Sequence, residues 1–288
     1  MNNKANVRTD LAVEVYMDVS ESIPSGKGYT GNVTRNESSI TTVIDIETEE
    51  GEKIFGKPKG RYVTVEVPPM GKDAEVADGR LDAVAEELAK LIPTDGPILV
   101  VGLGNRNITA DAVGPIALTQ ILATRHLNDR LKEEVGLSSL RDVSGIIPGV
   151  LGQTGIEVSD IVRSVADFTK PKAIISIDAL AARELSRLGC TIQITDAGIA
   201  PGSGIGNRRL ALNKQTMGVP VIAIGVPTVI SIGAVVDELP ENSNSSNLIV
   251  TPKDIDLLVS RAARLIALAI NRALFPSLSK EEILSLVS

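Results

Sequence analysis

Three aspartates follow short apolar runs: Asp111 beyond Ile98–Val101, Asp178 after Ala173–Ile177, and Asp196 after Thr191–Thr195. Runs this short and this rich in β-branched residues read as buried strands. In open α/β sheets, sites lie beyond the carboxyl ends of parallel strands, so these side chains can gather at one rim. Two close carboxylates do not ionise together cheaply, and one tends to keep its proton. The ionised member then deprotonates water while the protonated member polarises a carbonyl. Each aspartate also has a plainer use. Asp111 suits the first turn of a helix, and Asp178 and Asp196 suit N-caps at strand–helix turns.

Other chemistries are poorly supplied. His126 is the only histidine and lies roughly four helical turns beyond Asp111, too far for a Ser-His-Asp arrangement. Cys190, the only cysteine, has no metal-ligand spacing to His126 and reads as a small packed residue. Gly102-Leu103-Gly104-Asn105 stops short of a dinucleotide fingerprint because Asn107 stands where the third glycine belongs, and no P-loop lysine follows. Backbone N–H groups near Gly102, Gly104, Gly198, Gly202 and Gly204 suit a developing oxyanion. Arg208 and Arg209 suit either an anion or a solvated basic corner.

The elements that must position these residues are legible in outline. Ser39–Glu47 and Arg61–Val67 alternate, which predicts a hairpin or meander turned through Glu49-Glu50-Gly51-Glu52. Ser20–Ser38 predicts a loop and Asp73–Ile92 an amphipathic helix. From Ile98 onward strand and helix alternate. Thr109 sits as an N-cap before a helix over Ala112–Leu131, and further helices are expected over Glu157–Phe168, Ala179–Leu188 and Ile255–Leu274. Val219–Gly225 supplies a fourth buried strand. Gly145–Gly155 and Ala197–Arg209 are glycine-rich connections. The pattern predicts an α/β fold, a mostly parallel sheet flanked by helices, with a β-rich N-terminal portion.

With 288 residues, 43 % hydrophobic and 23 % charged, the composition is that of a soluble globular protein. A net charge of −7 and 2 % aromatic content argue against a nucleic-acid partner. A single cysteine rules out an intrachain disulfide and suits a reducing cytoplasm. Val219–Val236 carries no charge, but Pro220, Gly225, Pro227 and Gly233 cut it into strand-sized pieces, so no membrane span is expected.

Taken together, VRTDLAVE at Val7–Glu14, GLGNRNITADAVGP at Gly102–Pro115, SIDALAAR at Ser176–Arg183, ITDAGIAPGSGIGNRR at Ile194–Arg209 and VPTVI at Val226–Ile230 resemble the germination endopeptidases of spore-forming bacteria. Their order along almost the whole chain makes the likeness specific. The resemblance implies a phosphorylase/hydrolase-like fold and a zymogen that assembles as a homotetramer in the spore core. It implies cleavage of small acid-soluble spore proteins early in germination, without serine, cysteine or metal catalysis. Two essential aspartates of an atypical acid type fall on Asp111 and Asp178. Asp196, Gly102, Gly104, Asn105, Gly198 and Arg208 are candidates for supporting roles, and no cofactor or metal ligand is expected. Residues 1–10 are expected to be a propeptide, because Asp10-Leu11-Ala12 resembles the acid–aliphatic–alanine site the family cuts. Residues 11–288 then form a single domain, with a β-rich part over 11–70 and a strand–helix core over 98–288. The core also resembles hydrogenase maturation proteases, which hold a metal with two acids and a histidine; no histidine counterpart is evident. Alternatives on the same rim are a phosphorylase-like transferase using Arg208 and Arg209, a metal-assisted maturation-type peptidase, or a binding module without turnover.

Overall fold

Alternation along Ile98–Gly102 decides what covers each face of the sheet. Ile98 and Val100 face one layer and Leu99 and Val101 the other, and all four are fully buried. The computed structural model describes residues 9–20, 25–36, 39–70, 79–134, 140–202, 210–232 and 248–287. Among them nine strands form one sheet: β1 Tyr29–Arg35, β2 Ile40–Ile46, β3 Gly60–Glu66, β4 Ile98–Gly102, β5 Val143–Ile146, β6 Ala173–Ala182, β7 Thr191–Thr195, β8 Val221–Ser231 and β9 Ile249–Val250. Their order is β1-β2-β3-β7-β8-β6-β4-β5, with β9 on the far part of β8. β5, β4, β6 and β8 run parallel; β7, β3, β2 and β1 continue the sheet antiparallel.

One face is covered by the helices Gly79–Leu91, Val113–Leu118 and Ile255–Leu274, which pack on Ile175, Ile177, Ile222 and Ile224. On the other face, helix Val158–Thr169 packs Val158, Val162 and Ala166 against Leu99, Val101 and Ile174. Over the antiparallel half the same face is covered by helices Ala12–Val19 and Glu49–Phe55, where Tyr29 meets Phe55 edge-on at 5.0 Å. Helix Glu49–Phe55 replaces the expected turn. The Thr48 hydroxyl caps it by accepting from the Gly51 N–H, and Gly56 closes it at φ 62°.

Several expectations are corrected. The helix expected over Ala112–Leu131 ends at Leu118, and a separate short helix spans Asp129–Glu134. Tertiary partners capture the backbone between them. The Leu122 N–H donates to Asn271 Oδ1, Asn271 Nδ2 donates to the Gln120 carbonyl, and the Thr124 hydroxyl donates to the Arg141 carbonyl. The helix expected over Ala179–Leu188 is instead the second half of β6, held by pairing with β8 as far as Ala182↔Ile230. Ser20–Ser38, expected as a loop, contains β1, and β5 precedes the glycine-rich Gly145–Gly155 connection and enters it. Thr109 does not cap a helix; it opens a single 3-10 turn, Thr109–Asp111. Ala12–Val19, just past the expected cut, forms a helix.

Asn271 is fully buried on the long helix, and both ends of its amide are used. Asn271→Leu leaves the Leu122 N–H and Gln120 carbonyl without partners. We expect a loss of about 1–3 kcal/mol in urea unfolding with an unchanged m value.

Candidate active site

Asp111 is delivered by the turn that leaves β4. Gly104 lies at φ 111°, and a Cβ there would strike the Asp111 backbone carbonyl. This tight turn aims the Asn105 N–H at Asp111 Oδ2, 2.8 Å away. The Asn105 side chain props the loop by accepting from the Asn107 N–H and from Gln153 Nε2. Gly102 serves packing, since a Cβ there would meet the Gly114 carbonyl of the following helix. From the opposite side, the fully buried Thr228 donates its hydroxyl to the Ala110 carbonyl at 2.7 Å. Thr228 is the extra residue where the β6–β8 register shifts, with Leu180 opposite Pro227 and Ala181 opposite Val229. A bulge of this kind re-aims side chains beside a site.

Asp178 lies in the middle of β6, on the face that carries Ile174 and Leu180, and is 6 % exposed. Its neighbour on β8 is Gly225, and across Gly225 on β7 lies Gln193. Strand parity puts all three on one face, so Asp178, Gly225 and Gln193 form a row whose central member has no side chain. Burial pushes the Asp178 carboxyl well above the ordinary range; Asp111 and then Asp10 add to the effect, against the Ala179 N–H, which donates to Oδ1 at 2.9 Å. Burial also raises Asp111, which the Asn105 N–H partly offsets.

The third acid comes from the N-terminal segment. Asp10 joins Asp111 and Asp178 in lining a cleft of about 500 Å³. It is held in place along β6: its N–H donates to the Ala181 carbonyl, and the Ala181 N–H donates to its Oδ2, both at 2.9 Å. Its carbonyl oxygen accepts from Lys57 Nζ at 2.9 Å and from Gln193 Nε2 at 2.8 Å. The chain then enters the core with Leu11 and Val13 fully buried against Leu180 and Ala182. Glu14, also fully buried, accepts from the N–H groups of Arg183 and Glu184, while the Arg183 guanidinium donates to its carbonyl. Lys57 and Gln193 did not stand out in the sequence. A lysine in a short connection and a glutamine inside TIQIT carry no motif, and their placement depends on sheet order.

Of the other candidates, Gly202 lines the cleft, whereas Asp196, His126 and Cys190 lie away from the acids. Asp196 follows β7, which runs antiparallel to β8, so it emerges toward the opposite end from the acid rim. There its Oδ1 accepts from the Arg61 N–H at 2.7 Å, bracing β3 against β7. Gly198, at φ 81°, lets the chain pass closely by the Leu212 carbonyl. Arg208, Arg209 and Gly204 lie outside the described residues. His126 is exposed in the turns facing Val143, at the amino ends of the parallel strands and away from Asp111. Cys190 donates its thiol to the Leu188 carbonyl. Among the described residues no three His, Cys, Asp or Glu side chains gather with metal-binding geometry, and no helix is long and apolar enough to cross a membrane.

Two carboxyls raised by burial and lining one cleft are groups able to exchange protons with a bound molecule, the kind of chemistry a hydrolase uses. The chain belongs to the germination protease family, whose model matches residues 11–240. It is 40 % identical to the germination protease of Caldanaerobacter subterraneus subsp. tengcongensis, over 96 % of each chain. It is 39 % identical to that of Clostridium tetani, over 96 % of this chain and 98 % of the relative. With that of Bacillus licheniformis identity is 45 %, over 78 % of this chain and 63 % of the relative. A [NiFe] hydrogenase maturation protease, HycI from Thermococcus kodakarensis, overlaps 65 % of this chain and 98 % of its own at 20 % identity, with a TM-score of 0.37, too loose to argue from.

Because both acids are raised, the folded chain holds protons that the unfolded chain has released. Stability therefore falls as pH rises from the ordinary carboxylate range through the raised values. Asp178→Asn removes the larger of these costs. It should melt higher than the unsubstituted chain at pH 7, by roughly 2–4 °C for each kcal/mol relieved, and lose less stability as pH rises above the ordinary carboxylate range in thermal scans.

Proposed function

We propose that this chain is an endopeptidase that cuts small acid-soluble spore proteins as spores germinate, with Asp111 and Asp178 activating the attacking water. We further propose that it is made as a zymogen that cuts itself between Asp10 and Leu11 and works as a homotetramer in the spore core. Family membership supports the peptidase reading. The observation that supports the rest is the course of the N-terminal segment, in which Asp10 lines the same cleft as both acids and is bonded along β6 at Ala181.

The environments suggest a division of labour. Asp178 is the more deeply buried and the more strongly raised, so it keeps the shared proton and acts as the acid. Each carboxylate accepts one backbone N–H, so the lesser burial of Asp111 is what leaves it more readily ionised, and it acts as the base. Asp111 takes a proton from water as the water oxygen adds to the scissile carbonyl carbon. When the C–N bond breaks, the departing amine nitrogen receives a proton from the pair, leaving a carboxylic acid and an amine.

The leader also indicates how a substrate lies. An acid takes the place of Asp10 against the Ala181 N–H, an aliphatic side chain fills the pocket of Leu11, and a second acid takes the place of Glu14 at the Arg183 and Glu184 N–H groups.

Asp111→Asn and Asp178→Asn should each reduce cleavage of a small acid-soluble spore protein at least about 10²-fold while the fold is kept, because asparagine cannot carry the proton. Near-native turnover by either folded variant removes that residue from the mechanism. Conservative changes at Cys190 or His126 should leave the rate within a small factor. N-terminal sequencing after mildly acidic incubation should find a chain beginning at Leu11. Asp111→Asn should give none unless active protein is added, and cleavage mapped elsewhere would remove the leader from the proposal.

A further inference from the structure

Two side chains from the antiparallel half of the sheet converge on the carbonyl oxygen of Asp10, the residue that shares the cleft with the two acids. Gln193 is 6 % exposed and its orientation is fixed, because Oε1 accepts the Ala12 N–H at 2.7 Å, which leaves Nε2 to donate to the Asp10 carbonyl oxygen at 2.8 Å. Lys57 Nζ donates to the same oxygen at 2.9 Å and to the preceding Thr9 carbonyl at 3.2 Å. Two donors on one carbonyl exceed what docking a segment requires, since Asp10 and Glu14 already anchor the leader through six other hydrogen bonds from or to β6 and the residues after it. The Asp178–Gly225–Gln193 row sets the spacing. With no side chain at Gly225, Leu180 closes over the strand between the carboxyl and the amide, and the amide reaches the Asp10 carbonyl oxygen.

We propose that Lys57 and Gln193 form the oxyanion-binding pair of this peptidase. When the water oxygen bonds to the Asp10 carbonyl carbon, the C=O π electrons move onto the carbonyl oxygen. The Lys57 and Gln193 N–H groups hold the resulting negative charge until the bond to the Leu11 nitrogen breaks and the carbonyl re-forms. Charge developing on an atom already held by two fixed donors is stabilised without reorganisation. This assignment rests on the proposed cut between Asp10 and Leu11.

The test follows the full chain by intact-mass spectrometry under mildly acidic conditions, comparing the unsubstituted protein with Asp111→Asn, Lys57→Met, Lys57→Arg and Gln193→Met. Unsubstituted chain that yields a product starting at Leu11, with none from Asp111→Asn, establishes the cut itself. If it yields no such product, the zymogen reading and this pair fall together. Given the cut, Lys57→Met and Gln193→Met should each slow it about 10²-fold, and Lys57→Arg should restore part of the rate. Each change is also placed on the Asp111→Asn background, which keeps the leader uncut, and hydrogen exchange is read at residues 11–16. The expected result is protection like that of Asp111→Asn alone, so that the rate falls while the leader stays docked. Self-cleavage within about twofold of the unsubstituted rate overturns the proposal while leaving the acid pair intact. Protection lost in step with the rate overturns it as well, and makes the two side chains anchors for the leader only.

Discussion

A carboxyl group in the middle of a central strand is the constraint around which this molecule is built. β6 is covered on both faces, and a charge placed there is costly unless it is partnered or neutralised. The chain meets the problem locally. Gly225 withholds a side chain on one side, the Ala179 N–H serves one oxygen, and the cleft reaches the remaining surface. The cost that remains appears as the upward shift of the Asp178 carboxyl, the property an acid–base group needs. The Thr228 bulge and the Gly104 turn then bring Asp111 up to it from two different strands, so the pair depends on β4, β6 and β8 at once.

The mixed sheet gives the two halves different tasks. Among the parallel strands, β6 carries Asp178 within its length, and the turn after β4 carries Asp111 beyond the strand end, where open α/β sheets place their sites. The antiparallel strands add breadth, and through β7 they place a long polar side chain level with Asp178. Asp196 shows the other effect of reversing a strand. The same strand-then-aspartate pattern, in a chain running the other way, braces β3 against β7 instead of joining the rim.

How much of this was legible depends on how local each signal is. Helices Val158–Thr169 and Ile255–Leu274 match their expected limits within a residue or so, because an amphipathic period sustained over three turns or more has few other readings. Where the apolar pattern was shared with tertiary partners it misled. Asn271 and Thr124 draw the backbone after Leu118 out of a helix, and Glu14 caps the extended chain at Arg183 where propensity favoured a helix. Asp111 and Asp178 were visible because each follows an apolar run directly or after a glycine turn. The direction of β7 left no local trace. Lys57 and Gln193 were hidden for the same reason: their positions follow from sheet order and not from any spacing in the chain.

The N-terminal segment is fastened to partners very distant in the sequence. Its bonds to Ala181, Arg183 and Gln193 span 171, 169 and 183 residues. These are among the longest loops the fold closes, and they have nothing to attach to until β6 and β7 exist. During synthesis at about 5–20 residues per second, the first-made part of the chain therefore waits roughly 10–35 s for the surfaces it rests on. It is made early and settles only after β6 and β7 have been made, so the cleft is filled after these walls exist.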